Sequence, residues 1–333
     1  MNTINLSIVI PVYRSESILP TLVGKILDSV TLLGYESSFE LIMVNDASPD
    51  GSWDVIKTLS SQYSFLYGIC LSRNFGQHNA TMAGLTYCSG DIVIIMDDDL
   101  QHPPSAISDL VTAIESGYDV CYTSYENRQH AHWKKSGSWV NDRVANYLLG
   151  KPRGLYLSSF KALRKWVAAE IIKYDGPYAY VDGLILDITQ KITSIPIKHQ
   201  TRMDGEGNYN LRRSVSLWLK MVTSFSISPL RLASIGGFVL AVASVVFIGY
   251  VFVEKILHPE IAAGWASLMA TVLFIGGMQL LCLGVIGEYL GRAYLKLNKK
   301  PQFAIRERVK HNHSLACDEC NTETGMLDEK ELL

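Results

Sequence analysis

Short apolar runs alternate with amphipathic segments through the first hundred residues, and this alternation limits the possible folds more than any other feature of the chain. Strand-like runs occupy residues 6–12, 40–44, 66–71 and 91–96, and helical spacing of apolar residues occupies 18–33, 53–59 and 79–88. Strand–helix–strand units form right-handed crossovers between parallel strands. We therefore predict an α/β domain built on a doubly wound, mostly parallel sheet.

Polar residues follow each predicted strand. They are Tyr13, Asp46, residues 72–76 and residues 97–101. The carboxyl ends of parallel strands meet at one edge of a sheet, and open α/β sheets bind ligands there. The sequence has neither G-x-G-x-x-G nor G-x-x-x-x-G-K-S/T, so a nucleotide diphosphate at this edge would depend on a metal ion and on side chains.

Three consecutive carboxylates, Asp97, Asp98 and Asp99, follow the last of these strands, and Gln101 comes shortly after. Mg²⁺ and Mn²⁺ prefer oxygen ligands and combine them with substrate phosphates. Alternate side chains of an extended backbone point the same way, so we expect Asp97, Asp99 and Gln101 to share one face. The cluster is interpreted as a metal site, with a solvated acidic turn as the alternative.

Two long stretches without charged side chains lie at residues 232–253 and 262–287. About 20 apolar residues span the hydrocarbon core of a membrane, so we predict two transmembrane helices; buried core helices are the alternative. Lys and Arg flank the pair on both sides, which predicts that both flanks lie in the cytoplasm. Basic residues alternate with aromatic and aliphatic ones in residues 211–230, as in an amphipathic helix at the membrane interface.

The N-terminus lacks the pattern of a signal peptide, so residues 1–210 are predicted to form a cytoplasmic domain. The formal net charge of −2 gives no support to nucleic-acid binding. Residues 292–333 are predicted to be a cytoplasmic tail with a disordered end. This tail contains His311, His313, Cys317 and Cys320, and a zinc site is the alternative interpretation of that spacing.

Basic residues are also frequent after residue 122, where Arg128, Lys134 and Lys135 lie in a stretch without regular periodicity. A basic loop beside a metal site favours an anionic second substrate, whereas an ordinary solvated loop is the alternative.

Six motifs together resemble those of the family 2 glycosyltransferases that load a sugar onto a polyprenyl phosphate. They are IVIPVY at 8–13, VNDASPDG at 44–51, SRNFGQH at 72–78, DDDLQHPP at 97–104, RMDG at 202–205 and GEYLGR at 287–292. The resemblance covers about residues 5–310. It implies a protein of the bacterial inner membrane with a GT-A-type catalytic domain. The implied donor is a nucleotide-diphosphate sugar, the implied acceptor is a polyprenyl phosphate such as undecaprenyl phosphate, and the implied cofactor is Mg²⁺ or Mn²⁺. It also implies inversion at the sugar carbon, a homo-tetramer, and a product used in cell-envelope glycan, lipopolysaccharide or O-antigen modification.

The resemblance further implies a role for individual residues of this chain. The nucleotide would contact Pro11, Tyr13, Val44, Asp46, Arg73 and Asp97. The metal would contact Asp97, Asp99 and Gln101, and the acceptor phosphate would contact Arg128, Lys134, Ser138 and Arg202. Asp97, Asp98, Asp99 and Arg202 form the expected catalytic group, in which Asp98 is either a general base or a structural strand-end residue.

Departures from the family pattern leave the donor sugar open. Arg14 and Ser15 stand where the family has Asn-Glu, Glu16 comes one place late, and Asp98 replaces a small residue. Two rival functions remain: a processive polysaccharide synthase, and a non-catalytic membrane protein that handles lipid-linked sugar. The Gln-x-x-Arg-Trp element of the former is absent at residues 200–203, and two helices form a poor path for translocation.

Overall fold

The computed structural model describes residues 4–125, 155–176, 179–197, 228–257, 264–298, 301–311 and 313–315. The chain divides into two compact units. One contains the sheet and includes the segment from Pro301 onward, and the other contains two long helices between Tyr209 and Lys300.

The described part of the first unit contains a nine-stranded mixed sheet with the order β7-β5-β6-β4-β1-β2-β3-β8-β9. The strands are β1 (Leu6–Val12), β2 (Phe39–Asn45), β3 (Leu66–Leu71), β4 (Ile92–Ile95), β5 (Val120–Tyr125), β6 (Lys161–Arg164), β7 (Ile192–Ile197), β8 (Ile305–Lys310) and β9 (His313–Leu315). Strands β4, β1, β2 and β3 are parallel neighbours, as predicted.

Beyond these four strands the sheet is mixed and departs from the expected mostly parallel arrangement, although β7 is parallel to β5. β6 runs antiparallel to both β4 and β5, and β8 runs antiparallel to β3. Antiparallel neighbours do not need the helical crossover that joins parallel strands, so the βαβ pattern of the first hundred residues does not extend to β6 and β8.

Six helices and one short 3₁₀ turn accompany the described sheet. The helices are α1 (Leu19–Leu32), α2 (Ser52–Gln62), α3 (Gln77–Leu85), α4 (Ile107–Glu115), α5 (Lys165–Ile171) and α6 (Val181–Ile188), and the 3₁₀ turn is Pro104–Ala106. Every residue of β1 is buried, as expected for a parallel strand covered on both faces.

Helix α3 lies very close to the strands that carry the site. A Cβ atom at Gly84 would be only 2.4 Å from Val9 Cγ1 and 3.1 Å from Val44 Cγ2. Because Gly84 has no side chain, the backbone of α3 packs directly on β1 and β2. This packing fixes the start of the helix, at Gln77, relative to the ends of those strands.

Strand β8 lies within residues 292–333, for which the sequence predicted a tail and no strand. It pairs with β3, its Val309 is buried, and Trp53 Nε1 donates a hydrogen bond of 3.0 Å to Glu307 Oε2. Three of the six residues of β8 are basic and only two are apolar, a composition that does not by itself predict a strand. β8 forms because it pairs with the otherwise exposed edge of β3. Residues 316–333, with Cys317 and Cys320, lie outside the described residues.

β7 and β8, the strands that precede and follow the long helices in sequence, meet the same edge of the sheet. β5 runs in the same direction as β4, because β6 lies between them and is antiparallel to both. β7 is parallel to β5, so it ends, at Ile197, at the edge that holds the carboxyl ends of the parallel strands. β8 starts at this same edge, where Ile305 pairs with the last residue of β3.

The second unit contains α7 (Ser228–Leu257) and α8 (Trp265–Leu297). Helix α7 covers the predicted apolar segment 232–253, and α8 covers the predicted segment 262–287 from residue 265 onward. Many of the described apolar side chains are exposed, including Phe238 and Leu280. Within the described residues one stretch, Phe274–Leu295, is long and apolar enough by itself to cross a membrane. Residues 211–227 of the predicted interface helix lie outside the described residues, and 228–230 begin α7.

We predict that Val309→Ala lowers the free energy of unfolding by about 2 kcal/mol, because two buried methyl groups are lost between β8 and the core. Lys310→Ala, at an exposed position of the same strand, is the matched control and should change it by less than about 0.5 kcal/mol. Thermal unfolding of the full chain in detergent measures both. Equal effects would contradict the assignment of β8 to the core sheet.

Candidate functional site

The turns after β1, β2 and β4 share an unusual backbone geometry. Arg14, Ala47 and Leu100 are the described non-glycine residues with positive φ, at 60°, 48° and 57°. Such residues cost about 1–3 kcal/mol each and concentrate at functional sites. All three lie just beyond the carboxyl ends of parallel strands, which marks this edge as the candidate site.

Asp98 joins the end of β4 to the turn after β1. Its Oδ2 accepts hydrogen bonds from the backbone N–H of Tyr13 at 2.9 Å and from Ser15 Oγ at 2.5 Å. Burial raises the pKa of Asp98 to about 6, against the lowering effect of these two hydrogen bonds. This position fits the structural alternative stated for Asp98, since both contacts are internal to the protein.

Asp97 is held on both of its oxygens. Gln77 Nε2 donates to Oδ1 at 2.5 Å, and Ser159 Oγ donates to Oδ2. The ring of His102, which packs against Phe160, lies with Nδ1 3.9 Å from Oδ2. The Asp97 side chain is 24% exposed, so it remains open to a ligand at the edge of the sheet.

Asp99 makes a single described contact, in which the backbone N–H of Gln101 donates to Oδ1 at 3.1 Å. The chain bends across residues 98–100, and Leu100 has positive φ. The expectation that an extended backbone aligns Asp97, Asp99 and Gln101 is therefore wrong. The bend, and not strand periodicity, places these residues at the edge.

The described residues contain no group of three His, Cys, Asp or Glu side chains close enough to hold a metal ion. Mg²⁺ with a nucleotide needs fewer, because one or two carboxylates and the substrate phosphates complete its coordination. Asp99 is half-buried and engages only one oxygen with the protein. The oxygen donors at this edge therefore fit such an ion.

Asp46 organises the loop that follows β3. Its two oxygens accept hydrogen bonds from the backbone N–H groups of Phe75 at 2.7 Å and Gly76 at 2.8 Å, and its side chain is buried. Burial raises the pKa of Asp46, while the two N–H groups lower it. Gly76 has φ of 90°, a conformation that glycine adopts without steric cost. The predicted nucleotide contact of Asp46 remains a prediction.

The other predicted nucleotide residues differ in exposure. Tyr13 is 44% exposed, whereas Pro11 and Val44 are buried. Arg73 is exposed, and its guanidinium lies 4.6 Å from the centroid of the Phe75 ring. Tyr13 and Arg73 therefore offer side-chain surface at the edge.

A hydrogen-bond network that the sequence reasoning missed joins the first two turns. Ser48 Oγ accepts from the Arg14 N–H at 2.8 Å, and Glu16 Oε2 accepts from the Gly51 N–H at 2.9 Å. Asp50 accepts from both Ser48 Oγ and Ser52 Oγ. The run of Ser and Asp after β2 was the available signal, because such residues commonly bond to the backbone of turns.

A buried polar cluster formed by β5, β6 and α6 was also missed. Lys161 pairs with Ile95 across β6 and β4, and its Nζ forms an ion pair with Asp182 of α6. Tyr122 donates a hydrogen bond to Asp182 at 3.0 Å, and burial together with Asp182 raises the pKa of Tyr122. These residues are distant in sequence, so no local pattern indicates the cluster.

The residues predicted for the acceptor phosphate, Arg128, Lys134, Ser138 and Arg202, lie outside the described residues. Their placement near the site stays a prediction.

The mixed sheet and the carboxylates at the ends of its parallel strands form a GT-A-like α/β fold, and the family comparison assigns it to the glycosyltransferases. Residues 7–170 match the family model described as glycosyl transferase family 2, and residues 228–293 match that of a GtrB C-terminal hairpin. The chain is 32% identical over 306 residues to the undecaprenyl-phosphate 4-deoxy-4-formamido-L-arabinose transferase of Enterobacter sp. (strain 638), covering 91% of this chain and 93% of that protein. The chain belongs to glycosyl transferase family 2.

Solved structures show a more distant similarity. The glucosyl-3-phosphoglycerate synthase of Mycobacterium tuberculosis, solved with Mg²⁺ and uridine diphosphate, has 16% identity and a TM-score of 0.48 over 67% of this chain and 78% of its own. The mannosyl-3-phosphoglycerate synthase of Rubrobacter xylanophilus has 15% identity and a TM-score of 0.45 over 66% and 72%. Neither similarity assigns a role to any residue of this chain.

We predict that Lys161→Met lowers the free energy of unfolding by about 3–5 kcal/mol, because Asp182 then keeps a buried charge without its cation. Adding Asp182→Asn should recover most of this loss, since Asn removes the charge and still accepts the hydrogen bond from Tyr122. Lys165→Met, at an exposed lysine of α5, is the control and should change it little. Chemical unfolding of the three variants tests the pair, and a double variant no more stable than Lys161→Met would contradict it.

Proposed function

We propose that this protein transfers a sugar from a nucleotide-diphosphate sugar to undecaprenyl phosphate or a related polyprenyl phosphate, with inversion at the sugar carbon. The observation that carries the proposal is the 32% identity to an undecaprenyl-phosphate sugar transferase, which extends over 91% of the chain and so includes both the sheet domain and the helical pair.

The edge of the sheet supports the donor half of this proposal. Tyr13 and Arg73 present side-chain surface there, and the loop carrying Arg73 is held in place by Asp46. Arg73 adds positive charge suited to a diphosphate. We assign the nucleotide to this edge, with Asp97 as a further hydrogen-bond acceptor for it.

A divalent ion, Mg²⁺ or Mn²⁺, would be held by Asp99, with Gln101 and Asp97 as further oxygen ligands. When bound, it supplies positive charge next to the departing nucleoside diphosphate. Asp98 bonds inward to Tyr13 and Ser15. We therefore assign Asp98 to holding the turn and not to proton transfer.

The chemistry of the acceptor also makes a general base unnecessary. A phosphate monoester has a second pKa near 6, so a lipid phosphate is mostly dianionic at neutral pH and attacks without losing a proton. The protein's task is then to align the two substrates and to stabilise charge on the leaving group. Arg128, Lys134, Ser138 and Arg202 are the proposed contacts of the acceptor phosphate.

The apolar helices fit an acceptor that resides in a membrane. We propose that α7 and α8 both cross the bacterial inner membrane and that the sheet domain lies in the cytoplasm. The stretch 232–253 of α7 has 22 uncharged residues, which as a helix extends about 33 Å and matches a hydrocarbon core of about 30 Å. β7 ends, and β8 begins, at the edge of the sheet that carries the site.

Asp99→Asn should reduce kcat/KM for transfer to undecaprenyl phosphate by at least about 100-fold, because the variant loses the carboxylate charge that holds the ion. The measurement is transfer of radiolabel from a panel of UDP- and GDP-sugars to the lipid. Asp54→Asn is the matched control, since Asp54 is exposed on α2 and pairs with Lys57. Full activity of Asp99→Asn would contradict the assigned role, and no transfer by the wild type from any donor would contradict the proposed function.

Removal of divalent ions should abolish transfer reversibly. EDTA is expected to stop the reaction of the wild-type protein, and an excess of Mg²⁺ or Mn²⁺ should restore it, because the leaving diphosphate otherwise lacks compensating charge. The unfolding temperature should change little, because hydrogen bonds from the protein already hold the Asp97 and Asp98 carboxylates. Undiminished transfer in EDTA would exclude the metal role.

A further inference from the structure

Two side chains that have no part in the proposed function contact Asp97. Gln77, the first residue of α3, donates its amide N–H to Oδ1, and Ser159, just before β6, donates its hydroxyl to Oδ2. Both donors are neutral, and they come from different segments of the chain. A partly exposed carboxylate without such donors would be free to rotate about its last side-chain bond.

The segment that carries Ser159 is itself tightly held. Ser158 Oγ accepts from the Phe160 N–H at 3.1 Å and lies 2.9 Å from Thr123 Oγ1. The Thr123 N–H donates to the Phe160 carbonyl at 3.1 Å. Lys161 follows at once and is anchored by its buried ion pair with Asp182. The Ser159 hydroxyl is therefore presented from a rigid support.

The support of Gln77 is equally well defined. The loop before it is fixed by the hydrogen bonds of Asp46 to Phe75 and Gly76. The Asn79 amide donates to the Phe75 carbonyl at 2.9 Å and ties the first turn of α3 to this loop. The close packing of Gly84 on β1 and β2 fixes the rest of the helix.

We propose that Gln77 and Ser159 are positioning residues that fix the orientation of the Asp97 carboxylate for the nucleotide of the donor. This inference rests on the proposed function, in which Asp97 contacts the nucleotide. Each carboxylate oxygen can accept more than one hydrogen bond. Gln77 and Ser159 each use one lone pair of Asp97, and they hold the remaining lone pairs in a fixed direction for the nucleotide. A ligand that binds a preorganised acceptor avoids the cost of ordering it.

The test is a double-mutant cycle on nucleotide binding by the full chain in detergent. Calorimetry gives the Kd of UDP and of GDP, each with Mg²⁺, for the wild type, Ser159→Ala, Gln77→Ala, Asp97→Ala and the two double variants. Ser159→Ala and Gln77→Ala should each weaken binding of the preferred nucleotide about tenfold, because a hydrogen bond to a charged group is lost. In the Asp97→Ala background neither should weaken it further, because residues that act through one group are coupled.

Two further variants separate positioning from a general structural effect. Ser159→Thr keeps the hydroxyl and should bind within about threefold of the wild type. Ser108→Ala removes an exposed hydroxyl of α4 that bonds to the Ser105 carbonyl and should change neither Kd nor unfolding temperature.

The proposal would be overturned if Ser159→Ala and Gln77→Ala bound the nucleotide with wild-type affinity. It would also be overturned if either substitution weakened binding in the Asp97→Ala background by the same factor as in the wild type. If the losses of nucleotide affinity are coupled as expected but the wild type transfers no sugar to undecaprenyl phosphate, the positioning role is supported and the proposed acceptor is contradicted. A wild type that binds neither nucleotide would overturn both.

Discussion

The Asp98 carboxylate accepts hydrogen bonds from the Tyr13 N–H and the Ser15 hydroxyl, and so ties the turn after β4 to the turn after β1. Asp46 does the same for the turn after β2 and the loop after β3. Turns at the ends of parallel strands have backbone N–H groups without a partner in the sheet, and a carboxylate can accept hydrogen bonds from them; Asp46 binds two such groups and Asp98 binds one. The exposed side chains at this edge depend on these bonds, because Tyr13 and Arg73 lie on the segments that the carboxylates hold.

The same chemistry explains how neighbouring aspartates serve different purposes. Asp98 bonds to the turn after β1, whereas Asp99 bonds only to its own turn, through one of its two oxygens. Asp97 lies between these extremes, since Gln77 and Ser159 hold it while its side chain remains partly exposed. Hydrogen-bond partners, more than position in the motif, distinguish the three carboxylates.

The sheet domain is completed by residues on both sides of the apolar helices. β7 precedes them, and β8 follows them and covers the edge of β3. The helical pair is therefore an insertion in the sheet domain along the chain. Folding of the sheet brings residues from before and after the insertion together, and the Trp53–Glu307 hydrogen bond is one result.

The sequence by itself determined the elements whose signals are local. β1 and β3 begin and end where the apolar runs do, the two uncharged stretches are helical, and the carboxylates follow a buried strand, because side-chain periodicity and propensity act over a few residues. Tertiary structure decided the rest. Ser159 lies 62 positions from Asp97, and Trp53 lies 254 positions from Glu307, so no local pattern predicts those contacts. The bend at Leu100 overrides the alternation expected of a strand, because contacts made across the fold stabilise a backbone conformation that its own sequence disfavours.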